Sequence, residues 1–142
     1  MHPILRNILA VVTGLILGGA VNMGILMLGM AVIPPPPGVD LTDIASINAH
    51  IHEYSFVAMM VPFLAHAMGT LMGAFVAVRI AVSRHMLLAM IVGVVFLLAG
   101  IDAVRQIPNA PLWFDVLDLV VAYLPMAWLG HRLAMGSTRV QA

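Results

Sequence analysis

The chain has 142 residues, of which 63% are hydrophobic and only 8% are charged, and its mean hydropathy is +1.09. A soluble domain carries about a quarter charged residues, so this composition excludes a water-soluble globular domain. Six basic and six acidic residues give a formal net charge of zero, which excludes an electrostatic nucleic-acid binder. The chain has no cysteine, so disulfides, thiolate metal sites and cysteine nucleophiles are excluded as well.

Four segments are long and apolar enough to cross a bilayer core of ~30 Å as helices, which takes about 20 residues each. They cover residues 8–33, 56–78, 85–104 and 111–133, and together they predict a single integral membrane domain. The first apolar stretch is much longer than the core of a signal peptide, so we expect it to be retained. The predicted fold is an all-α four-helix transmembrane bundle, with the lipid bilayer as its surroundings.

The distribution of charge predicts the orientation of this bundle. Four spans place both termini on one side of the membrane, and five of the six arginines fall on that side. These are Arg6, Arg79, Arg84, Arg132 and Arg139. The acidic residues all fall on the other side, with Arg105 as the one basic residue there. The positive-inside rule therefore predicts that both termini are cytoplasmic.

The segment after the first span combines a proline run with a polar helix. Four prolines at 34–37, followed by Gly38, predict an extended strut and a turn. A short amphipathic helix is expected from about residue 40 to 54, on the extracytoplasmic side. It carries His50, His52 and Glu53, which are candidates for a metal site. On a helix, positions i and i+2 point about 160° apart, so solvated polar groups are the competing interpretation.

A second group of polar residues is expected at the extracytoplasmic ends of the last two spans. Asp115 and Asp118 lie three positions apart, which fits either a favourable interaction with the helix dipole or a paired carboxylate that shares a proton or cation. Asp102 and Arg105 have the same spacing and are expected to form an ion pair. These four residues form a predicted extracytoplasmic mouth.

Two glycine motifs predict close packing of the first two spans. Gly14 and Gly18 in the first span, and Gly69 and Gly73 in the second, have the spacing that lets helix backbones approach closely in lipid. At 100° per residue each motif shares its helix face with that helix's polar side chains. We therefore expect the two faces to contact each other, or to mediate association with a second copy or another membrane protein.

His66 is the ionisable residue predicted to lie deepest in the membrane. It follows Phe56 by ten positions, which places it about 15 Å along the helix. A mid-membrane polar site of His66, Asn22 and Thr70 is predicted. An ionisable residue at this depth is a functional-site hypothesis, such as a proton relay or ligand site. A neutral imidazole that hydrogen-bonds Asn22 or Thr70, and so joins two helices, is the structural alternative.

Other features of the spans have simpler interpretations. Pro62 and Pro125 predict kinks in their helices. Trp113, Tyr123 and Trp128 suit the interfacial ends of the fourth span. No catalytic, phosphate-binding or dinucleotide-binding motif occurs, so neither an enzyme nor a cofactor is predicted.

The run from Pro62 to Ala74, PFLAHAMGTLMGA, resembles a segment of small four-helix bacterial inner-membrane proteins. The glycine-rich first span and the stretch YLPMAW at 123–128 are similar as well. The resemblance implies this fold and a location in a bacterial inner membrane, and it implies no activity. Three functional hypotheses stay open: a structural or accessory unit that packs through glycine-rich faces, a transporter or channel module with a polar site at His66, and a metal- or cofactor-binding membrane protein.

Overall fold

The computed structural model describes residues 2–136, in which four helical segments are long and apolar enough to span a membrane. They are Pro3–Val32, Phe56–Ile80, His85–Gln106 and Leu112–Gly136. The predicted all-helical bundle of a multi-pass membrane protein is confirmed at this level. Arg139, one of the arginines used to predict the orientation, lies outside the described residues.

Residues 2–136 form six α-helices, named here in chain order. They are α1 (Pro3–Val32), α2 (Ile44–His50), α3 (Phe56–Ile80), α4 (His85–Gln106), α5 (Leu112–Val121) and α6 (Leu124–Gly136). A 3₁₀ turn, Ile51–Glu53, extends α2. Helix α1 begins before the predicted Ile8, because Pro3 occupies the first turn and the His2 side chain accepts a hydrogen bond from the amide of Ile4.

The two membrane prolines have different effects. Helix α3 continues through Pro62 without interruption. The fourth span is instead divided at Ala122 and Tyr123, and Pro125 lies in the first turn after the break. A proline nitrogen carries no hydrogen and cannot donate to the carbonyl one turn earlier, which accounts for a break at this point. The fourth span is therefore two helices, α5 and α6.

Helix α3 lies at the centre of the bundle and contacts α1, α4 and α6. The core that α3 forms with α4 and α6 is built from small side chains: Ala74, Ala77, Ala89, Ala127 and Ala134 form one buried cluster with Val78 and Val92. Small side chains let backbones approach closely, which gives van der Waals packing where lipid provides no hydrophobic driving force. The core is thus built from close backbone contact.

The predicted glycine faces of α1 and α3 contact each other within the chain. A Cβ atom added at Gly18 would lie 2.6 Å from the carbonyl oxygen of Gly69, and one added at Gly73 would lie 2.8 Å from the carbonyl oxygen of Gly14. Any side chain at these positions would push the helices apart. The two faces are therefore occupied inside the bundle.

Polar contacts close the bundle at both ends. At the end that carries α2, named here the α2 end, the amide of Asn109 donates to the side chain of Asn48 at 3.0 Å. At the opposite end, the Arg6 guanidinium donates to the Ile80 carbonyl at 2.9 Å, and the Asn7 side-chain amide donates to the Ser83 hydroxyl at 2.9 Å.

Candidate functional site

Three polar side chains from α3, α5 and the α5–α6 break form a cluster in the bundle interior. His66 Nδ1 lies 2.8 Å from Asp118 Oδ1 and 3.0 Å from Asp118 Oδ2. The Tyr123 hydroxyl donates to Asp118 Oδ2 at 2.8 Å, and its oxygen lies 3.1 Å from His66 Nδ1. The imidazole and phenol rings are also stacked, with centroids 5.8 Å apart. We name these three residues the polar triad.

The triad holds a carboxylate that is almost completely removed from solvent. Asp118 and Tyr123 are each only 2% exposed. Burying an ionised carboxylate is costly unless hydrogen-bond donors surround it, and here Tyr123 and His66 supply them from two directions. When Asp118 is ionised, Nδ1 of His66 carries the proton and donates, since a carboxylate only accepts. The second ring nitrogen, Nε2, has no hydrogen-bond partner among the described residues.

A glycine on α4 makes room for the phenol of this triad. The ideal Cβ position at Gly100 overlaps the Tyr123 hydroxyl, so only glycine fits there without moving the ring. Tyr123 lies in the break after α5 and is buried in the bundle interior. The interfacial position expected for Tyr123 is therefore wrong, because its hydroxyl is bonded at the level of His66 in the bundle core.

Two members of the triad, His66 and Asp118, line a cavity of about 400 Å³ at the α2 end. The lining extends from Leu41, Ile51 and Tyr54 near α2 down to His66 and Asp118. It also includes apolar side chains from α1, α3, α4 and the residue after α4, namely Met23, Leu26, Met30, Met59, Val61, Ala103, Val104 and Ile107. A cavity with mostly apolar walls and a few converging polar groups is the usual form of a small-molecule site.

Asp115 also lines this cavity, one helical turn from Asp118. Its Oδ1 atom is buried and has no hydrogen-bond partner in residues 2–136. An unpartnered buried carboxylate oxygen is costly, and it is expected to gain a partner from a bound molecule or from water. The two acids predicted at an extracytoplasmic mouth thus line a single cavity, with Asp118 bonded to His66 at its deep end.

The other residues of the predicted polar site have no bond to the imidazole. The side-chain oxygens of Asn22 and Thr70 are buried without hydrogen-bond partners in the described part of the chain. The hydrogen bond from His66 to Asn22 or Thr70 that the structural alternative expected is therefore wrong. Nδ1 of His66 contacts Asp118 and Tyr123 instead. Helix order around the bundle brings α5 to His66, and the sequence does not specify that order.

The remaining candidates at the α2 end do not come together. Asp102 accepts a hydrogen bond from Gln106 at 2.6 Å and forms no ion pair with Arg105 within residues 2–136, so that predicted pair is wrong. His50 Nδ1 lies 2.8 Å from its own helix's Ser46 carbonyl. His52 and Glu53 form an exposed contact at 3.8 Å. Across residues 2–136, no three side chains of metal-ligand type converge.

Two titratable groups near the α2 end, outside the spans, have altered pKa values. Hydrogen bonds from the hydroxyl and amide of Thr42 hold the pKa of the Asp40 carboxyl below its usual range. Partial burial raises the pKa of the Tyr54 phenol, so this ring stays neutral where it lines the cavity.

Comparison of the chain with protein-family models, curated proteins and solved structures finds no match. The arrangement can surround a small molecule with apolar side chains and offer it two carboxylates and an imidazole nitrogen.

Sequence reasoning missed Tyr123 and Gly100 as parts of this site. The available signal was Asp118, because an acid seven positions into a membrane helix requires donors that the neighbouring helices must supply.

Proposed function

We propose that this chain is a small integral membrane protein that binds an amphipathic small molecule in the cavity at its α2 end. The apolar walls would hold the body of the ligand, and His66, Asp115 and Asp118 would bind its polar group. The cavity faces the extracytoplasmic side of a bacterial inner membrane in this proposal, because the arginines concentrate at the other end. The polar triad beneath an apolar cavity is the observation that supports it.

A purely structural unit has less support from the same contacts. The glycines expected to serve association, Gly14, Gly18, Gly69 and Gly73, already pack against the partner helix inside the chain. No catalytic motif is present, so the proposed function is binding without chemical conversion. Lipid remains the expected surroundings, and a homo-oligomer or a membrane-protein partner remains a prediction without a surface assigned to it.

Thermal unfolding of the purified protein in phosphatidylcholine nanodiscs tests this proposal, with n-octanol as a neutral probe. A ligand that binds only the folded state stabilises it by about 2.7 kcal/mol at 100 times its Kd. Ala103→Phe places a ring on the cavity lining and is expected to abolish the octanol-dependent rise in Tm. Leu98→Phe is the matched control on α4, because Leu98 is 61% exposed on the outer surface. Equal rises in wild type and Ala103→Phe would contradict the proposal.

The break between α5 and α6 favours a second candidate, transport of the bound molecule. Interrupted membrane helices beside a mid-membrane polar site are characteristic of secondary transporters. Here the break at Ala122 and Tyr123 adjoins the buried carboxylate of Asp118. Transport predicts that His66→Ala abolishes flux into reconstituted vesicles while the bundle stays folded. A binding protein without transport would show no flux in either form.

A further inference from the structure

The ionisable groups that line the cavity include more acids than bases. Apart from the neutral phenol of Tyr54, they are Asp115, Asp118 and His66, and none of the cavity's lining side chains is an arginine. When both acids are ionised, the cavity carries one net negative charge with a protonated His66 and two with a neutral one. Arg105, the arginine nearest to Asp115 in the sequence, belongs to α4 but does not line the cavity.

Asp115 is the carboxylate whose buried oxygen lacks a hydrogen-bond donor within residues 2–136. Asp118 receives hydrogen bonds from both His66 and Tyr123, whereas the buried Oδ1 of Asp115 receives none. A charge in a low-dielectric site is costly alone and strongly favourable beside an opposite charge. The cavity therefore complements a positive group next to Asp115.

The rest of the lining suits the body of such a ligand. The aromatic rings of Tyr54 and Phe114 contribute to the walls, and aromatic faces attract cations. The methionines Met23, Met30 and Met59 add flexible, polarisable surface that adapts to an alkyl chain. An inorganic cation would leave this apolar surface unused.

We propose that the ligand is a lipophilic cation, with its charged nitrogen beside Asp115 and its alkyl body along the apolar walls. This inference rests on the proposed binding function and adds the sign of the ligand's charge. A neutral or anionic amphiphile of equal size is expected to bind more weakly, because it leaves Asp115 uncompensated or repels it.

Three probes built on an unbranched eight-carbon chain test the charge directly: n-octyltrimethylammonium, n-octanol and octanoate. Their binding is measured calorimetrically on the full chain in phosphatidylcholine nanodiscs, with empty nanodiscs subtracted to remove lipid partitioning. We expect saturable binding of the cation about tenfold tighter than that of octanol, since the attraction of an opposite charge about 4 Å away lies between its values in water and near a protein surface. Octanoate is expected to bind weakest.

Variants distinguish the effect of the Asp115 carboxylate from the effect of negative charge elsewhere at the α2 end. Asp115→Asn breaks no hydrogen bond of Oδ1 and is expected to remove the tenfold preference while octanol still binds. Asp115→Glu restores the charge and should restore the preference. Glu53→Gln removes one negative charge from the same end of the bundle, on an exposed residue that does not line this cavity, and should change nothing.

Two outcomes would overturn the proposals, and they are distinguishable. If octanol binds as tightly as the cation, or Asp115→Asn keeps the preference, the ligand is not selected by charge, although the cavity still binds amphiphiles. If none of the three probes binds saturably, the proposed binding function itself fails.

Discussion

The imidazole of His66 and the carboxylate of Asp118 are 52 positions apart in the chain, yet Nδ1 and Oδ1 lie within 2.8 Å of each other. This contact joins α3 to α5 at the deep end of the cavity. Because Asp118 is almost completely buried, its charge depends on the donors that the other helices provide. Stability and the proposed ligand binding therefore depend on the same few side chains, so substitutions in the triad can test both.

Removal of the Tyr123 hydroxyl is expected to destabilise the fold. Tyr123→Phe deletes the donor to Asp118 Oδ2 and leaves a buried carboxylate oxygen short of a partner. We expect a loss of about 1–2 kcal/mol in the free energy of unfolding, near the upper range for side-chain hydrogen bonds in membrane proteins. Denaturation in mixed micelles measures it. Tyr54→Phe is the control, because the Tyr54 hydroxyl forms no hydrogen bond within residues 2–136. Equal losses in the two variants would show that the bond to Asp118 contributes nothing.

Gly100→Ala tests the space in which the phenol lies. A methyl group at this position would overlap the Tyr123 hydroxyl and displace it from Asp118. We expect destabilisation of about 1–3 kcal/mol, as for other over-packed sites. Gly24→Ala on α1 is the matched change, since nothing lies within 4 Å of a Cβ atom there. It should be neutral or stabilising by up to about 1 kcal/mol. A stable Gly100→Ala protein would mean that Tyr123 lies elsewhere.

The orientation of the bundle can be measured because the chain contains no cysteine. A cysteine introduced as Ala45→Cys lies on α2, and one introduced as Ser83→Cys lies in the loop at the opposite end. In intact cells a membrane-impermeant maleimide should label the first and not the second. Labelling of Ser83→Cys should appear only after the membrane is permeabilised. The reverse pattern would place the cavity on the cytoplasmic side.

The sequence predicted the spans well because charge-free apolar runs identify membrane helices directly. It also predicted that Gly14 and Gly73 lie on contacting faces, since helical periodicity fixes which residues share a face. It did not predict that Asp118 bonds His66, because hydropathy gives the depth of a residue but not the order of helices around a bundle. The same limitation hid Gly100, whose role depends on a phenol 23 positions later in the chain.

Photolabelling tests most directly whether the cavity above His66 and Asp118 holds a ligand. A diazirine analogue of n-octanol is irradiated with the protein in nanodiscs, and mass spectrometry maps the labelled residues. We predict labelling at Met59 and Ile107, which line the cavity, that excess octanol displaces. Labelling at Ile16 and Leu98, which are 65% and 61% exposed on the outer surface, should not be displaced. Labelling confined to the outer surface, or insensitive to octanol at all four residues, would contradict the account.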